Sequence, residues 1–93
     1  TPPSPAPVSK RKMSFKDKHA LETLPAEIDR ISAEISRIEA ELSDPALFTQ
    51  KPDRFAALTA SLEKLNEDRA AREDRWLELE SLREEIEAEN AAS

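Results

Sequence analysis

Five cations crowd one short stretch of the chain, Lys10, Arg11, Lys12, Lys16 and Lys18, against a single acidic residue, Asp17. Such a cluster can neutralise phosphates and release their counterions, a chemistry that attracts and positions nucleic acid without reading its sequence. Lys51 and Arg54 form a second, smaller basic pair. Phe15 and Phe48 stand beside the two groups, where an aromatic ring could stack on an unpaired base. Packing competes with that role: Phe15 is expected against Leu82, and Phe48 over the end of a helix pair. The charge pattern alone fits a solvated, solubilising tether as well as it fits phosphate contact.

Other chemistries lack their residues. The 93-residue chain has no glycine and no cysteine, so it offers no phosphate-cradling loop, thiol nucleophile or disulfide. His19 is the only histidine and reads as an ordinary surface or partly buried residue. Zinc would need ligands that are missing, and calcium an oxygen-rich loop. Neighbouring carboxylates such as Glu84 and Glu85 have no cleft to shift their titration. No catalytic residue, no metal site and no cofactor are therefore expected in this chain. The net charge is −6, yet residues 10–18 carry a balance of +4 and the rest −10, so the basic block is local in an acidic protein. No apolar run approaches the roughly 18 residues of a membrane span, and no signal-peptide core is seen. A cytoplasmic location away from membranes is expected. The absent initiator Met suggests a piece of a longer protein.

The elements that would position these residues are helical. Residues 1–9 hold four of the seven prolines and read as a disordered, extended leader; with the basic end it forms a linker over 1–12. Ser14 offers a helix cap, with Asp17 three residues on, for a short helix over about 14–23. Pro25 predicts a kink or break before a second helix over 25–43. Leu24, Ile28, Ile31, Ile35, Ile38 and Leu42 then recur at alternating spacings of four and three, the pattern that keeps an apolar seam on a partner helix. Arg30 with Glu34, and Arg37 with Glu41, lie one turn apart on the wet face. Asp44-Pro45 ends that helix and can start a turn through Phe48; Pro52 then launches a last helix over about 52–89. In it Phe55, Leu58, Leu62, Leu65, Arg69, Arg72, Trp76 and Leu79 continue the seam, with Leu82 and Ile86 extending it less regularly.

A short connector makes the two patterned helices antiparallel neighbours. The fold class expected is all-α: an antiparallel two-helix coiled-coil hairpin over 13–90, with a short N-terminal helix and the Pro-rich leader. Opposing positions should place Leu42 by Phe55, Ile35 by Leu62, Ile28 by Arg69 and Leu21 by Trp76. The tip half, from Ile31 to Leu65, is expected to be the more stable. Arg69 and Arg72 interrupt the seam; their stems are expected to cover Ile28 and Leu24 while the guanidinium groups reach water or Glu27. The alternative is a direct phosphate contact.

The order K-M-S-F-K-D-K-H-A-L-E-T-L-P-A-E-I, then D-P-A-L-F, P-D-R-F-A-A-L and R-W-L-E-L-E, over about residues 10–82, resembles the C-terminal coiled-coil domain of ABC-F ATPases of the Uup type. Leu-Pro at the helix start, D-P-x-L-F at the tip and W-x-E-L-E near the end are not demanded by a generic coiled coil. The resemblance implies a noncatalytic nucleic-acid-binding tail, with ATP and Mg held by the parent's own ABC domains. Lys10, Arg11, Lys12, Lys16 and Lys18 match that family's basic lead-in. DNA is the first expected partner and ribosomal RNA the second. The rival is a protein-interaction arm, docking on the parent's ATPase domains or the ribosome through the tip residues Leu47 and Phe48 or the end near Ile86. A monomer is expected, because each helix already has its partner.

Overall fold

Three helices form in the computed structural model, which describes residues 11–92: α1 (Phe15–Leu42), α2 (Pro45–Gln50) and α3 (Pro52–Ala92). Lys10, the Pro-rich leader before it and Ser93 lie outside the described residues. The start of α1 is set by Ser14, whose Oγ accepts the backbone N–H of Asp17 at 3.1 Å. Asp17 does not return the favour as a capping-box partner, because its carboxylate accepts from Arg75 of α3 instead. At the other end, the Ser43 backbone N–H bonds to the Glu39 carbonyl and its hydroxyl to that of Ala40. Asp44, preceding a proline, is extended at φ −71°, ψ 114°, which stops the helix and caps the next one through Ala46 N–H. With no glycine and no proline after Pro52, nothing interrupts α3 for 41 residues.

The expected break at Pro25 is absent: α1 passes through it as one helix of 28 residues. The proline leaves the Leu21 carbonyl without its helical donor, a defect that costs about 3 kcal/mol in a helix interior. Packing on a common partner outweighs it. Leu24 is buried immediately before Pro25, and Ile35 and Ile38 are buried after it. Asp17 on one side and Glu27 on the other both grip α3, through Arg75 and Arg72. Breaking the helix at Pro25 would sacrifice one of these anchorages.

α1 and α3 pair antiparallel into a hairpin, and the molecule extends over 68 × 25 × 15 Å. Its polar rungs descend along α3 as they ascend along α1: Asp17 with Arg75, Glu27 with Arg72, Ser32 with Arg69, Glu41 with Arg54. Along the seam Leu24, Ile35, Ile38 and Leu79 are buried, and Ile28, Ile31, Leu42, Phe55, Leu58, Leu62, Leu65 and Trp76 are half-buried. Of the twelve expected core positions, four are thus buried and eight keep partial access to water.

Two further residues join the core. Leu47, expected as an exposed docking residue, is buried because α2 folds back onto α3. Ile86 is buried, which agrees with its place as a less regular extension of the seam and corrects the expectation of an exposed docking end there; Met13 and Leu21 line the same groove. Burial is therefore shared between the tip and the open end, where Leu79 is only 1% exposed. Phe15 does not pack on Leu82: it is 83% exposed and lies over His19, with ring centroids 6.4 Å apart. Phe48 is exposed apart from an edge contact with Phe55 at 5.1 Å. The wet-face pairing also differs, since Glu34 takes Arg37 and Glu41 turns across the hairpin to Arg54.

Candidate nucleic-acid interface

The basic residues divide by what already holds them. Arg11, in the extended segment before α1, donates to Glu89 at 2.9 Å and Glu85 at 3.2 Å, while Asn90 donates to its carbonyl. Its guanidinium is raised above the ordinary arginine pKa, first by the hydrogen bond to Glu89 and then by that to Glu85. A phosphate could reach Arg11 only by displacing two carboxylates, so this residue fastens the chain to the end of α3. Arg54 is similarly occupied by Glu41, whose hydrogen bond raises its pKa.

Lys12, Lys16 and Lys18 differ. They are exposed and stand outside the described ion pairs. Lys12 precedes the Ser14 cap, and Lys16 and Lys18 lie in the first turn of α1, so the three surround a helix N-terminus. There the helix dipole adds positive potential to their charge. The exposed ring of Phe15 sits among them. Lysine cations outside the described ion pairs, beside an exposed aromatic ring that has His19 on one side, can hold a phosphate and stack a base. An acidic flank limits their reach: the groove between Lys12, Lys18 and α3 is also lined by Glu22, Glu80 and Glu87, with Arg83 bound to both Glu80 and Glu87. Screening over roughly 8 Å at physiological ionic strength confines attraction to direct contact.

Lys51 is exposed as the last residue before α3, its N–H bonded to the Leu47 carbonyl. It lies at the tip, the opposite end of the 68 Å body from the α1 start, and does not join the lysine cluster. Arg69 and Arg72 are half-buried and engaged within the hairpin. Arg72 Nε donates to Glu27 at 2.9 Å, as expected, and Arg69 to Ser32 Oγ at 3.2 Å. Among the described residues no group of three or more His, Cys, Asp and Glu is arranged to hold a metal ion, and no helix is long and apolar enough to cross a membrane.

Leu77 went unread in the sequence and is the feature most at odds with a simple seam: it is 58% exposed. The signal was present, because Trp76 and Leu77 are adjacent, and residues one apart on a helix point about 100° away from each other. Only one of them can enter the seam.

Neither the curated proteins nor the solved structures contain a match to the chain. A family model, the ABC transporter C-terminal domain, matches residues 12–81. That span runs from the first free lysine through the tip and back along the paired helices, most of the chain, and the protein belongs to this family of ABC C-terminal domains.

Proposed function

We propose that this domain is a noncatalytic nucleic-acid-binding arm of a cytoplasmic ABC-F ATPase of the Uup type, acting on DNA in first place and ribosomal RNA in second. ATP and Mg would be handled by ABC domains elsewhere in the parent, since a chain without glycine has no backbone able to wrap phosphates closely. The observation that carries the reading is the cluster of Lys12, Lys16 and Lys18, exposed and outside the described ion pairs, beside the exposed Phe15 ring. Arg11, Arg54, Arg72, Arg75 and Arg83 are all held in intramolecular pairs, whereas three lysines outside the described ion pairs gather at one helix start, where they can donate together to a phosphate. Lys10 adjoins them in sequence and is included in the proposed contact.

Binding by so few cations on an acidic body is weak, sequence-independent and salt-sensitive. The exposed Phe15 favours unpaired over duplex strands. Fluorescence anisotropy with labelled single-stranded and duplex DNA tests this. Alanine at Lys12, Lys16 and Lys18 should abolish measurable binding, and Phe15→Ala should remove the preference for single strands. Undiminished binding by the triple variant would refute the assignment. The domain acts as a monomer in this reading, with sedimentation as the check.

A further inference from the structure

A second surface lies on the hairpin far from the lysines in character. Pro25 and Ile28 of α1 and Trp76 and Leu77 of α3 line an open apolar groove at the middle of the hairpin, rimmed by Asp29, Glu73 and Asp74. None of these three carboxylates enters a described ion pair. From Asp74 and Leu77 a shallower groove continues along α3 past Leu82 to Glu85, a stretch of about 17 Å at the helical rise. Leu77, 58% exposed, stands at the junction of the two. The face already accepts one cation, since Arg11 is bound on Glu85 at its far end.

We propose that this face docks a cationic amphipathic helix of a partner protein, about three turns long. Its apolar side chains would lie along Trp76, Leu77 and Leu82, and its Lys or Arg residues against Asp29, Glu73 and Asp74. The charge decides among occupants. Phosphate-bearing ligands are repelled by the three uncompensated carboxylates. A second copy meeting the same face across a two-fold axis would bring acidic side chains against acidic ones, because the groove lining carries Asp29, Glu73, Asp74, Glu78 and Glu85 and no Lys or Arg to pair with them. A basic helix alone satisfies both the apolar floor and the acidic rim, in the helix-in-groove mode. The surface is separate from the lysine cluster, so the inference does not rest on the nucleic-acid reading.

Trp76 is the only tryptophan in the chain and lines the groove, so it reports occupancy directly. The probe is a twelve-residue peptide of leucine and lysine alone, with its leucines at helical spacing, against a scrambled peptide of the same composition. The full chain should show a saturable change in Trp76 emission with the ordered peptide, at least about tenfold tighter than with the scrambled one. Leu77→Ser, at an exposed position, should reduce affinity about tenfold with an unchanged circular dichroism spectrum. Asp29→Asn with Glu73→Gln and Asp74→Asn should weaken binding and flatten its salt dependence. The same number of neutralisations at Glu39, Glu63 and Glu67, outside the groove, should leave it unaltered. Equal affinity for both peptides overturns the proposal, as does equal loss from the distant neutralisations. So does a concentration-dependent dimer that Leu77→Ser dissolves, which would assign the face to a second copy.

Discussion

Leu77 and Leu79 lie two positions apart on α3 yet face opposite fates: the first is 58% exposed and the second 1%. Replacing each by alanine separates burial from every other property of leucine, because helix propensity, chain position and side-chain volume are shared. Leu79→Ala removes a fully buried side chain at the contact of α3 with the first half of α1, and such changes cost about 2–5 kcal/mol. In a protein whose total stability is at most about 5–15 kcal/mol, that is a large fraction. With about 4–8 °C of melting temperature per kcal/mol for a domain of 60–100 residues, Leu79→Ala should melt at least about 10 °C below the parent. Leu77→Ala should stay within about 0.5 kcal/mol of it. Thermal and urea unfolding, followed by helical circular dichroism and by Trp76 emission, measure both. If Leu77→Ala is as damaging as Leu79→Ala, the rotational placement of α3 is wrong and the groove described above does not exist.

Pro25→Ala restores a donor for the Leu21 carbonyl in a helix that is continuous there, so it should stabilise by about 1–3 kcal/mol; destabilisation in urea unfolding would show that the proline marks a real break. Exchanging Arg69 and Arg72 together for leucine should raise the melting temperature, because two half-buried polar rungs become apolar seam, and should leave nucleic-acid affinity unchanged. A loss of affinity without unfolding would instead make those arginines phosphate ligands. Arg11→Ala should release the end of α3: hydrogen exchange should speed up for residues 85–90 while those between Leu58 and Leu79 stay protected, and uniform loss of protection would contradict the local role.

Much of the hairpin was legible because its causes are periodic or local. The spacing from Leu24 to Leu42 and from Phe55 to Leu79 states a seam, and Ser14, Asp44, Pro45 and Pro52 carry their capping chemistry in their own identities. At Pro25 local rules predict a kink or a break; the helix does not break there, and its continuity comes from anchorage to α3 on both sides. Leu47 sits in a six-residue helix too short to show a period, so nothing nearby announced its burial. Ile86 was readable, since it follows Leu79 by one heptad.

The site was less legible than the fold. The run of cations was plain in the sequence, but which of them remain available depends on pairs spanning most of the chain, such as Arg11 with Glu85 and Glu89. With twenty acidic residues as candidate partners, sequence does not choose among them. Nor could it place Phe15 in solvent, because an aromatic on an amphipathic helix is ordinarily expected to pack.

The most direct test of nucleic-acid binding through Lys12, Lys16 and Lys18 is the salt dependence of single-stranded DNA affinity, for the parent and for the variant with alanine at all three. Three contacts on a single strand correspond to a slope of about −2 in log affinity against log salt, or a loss of roughly twentyfold between 50 and 200 mM. The account predicts such a slope for the parent, steepened toward about −3 if Lys10 joins, and no measurable binding for the variant. An unchanged slope in the variant, or parent affinity that does not vary with salt, would contradict it.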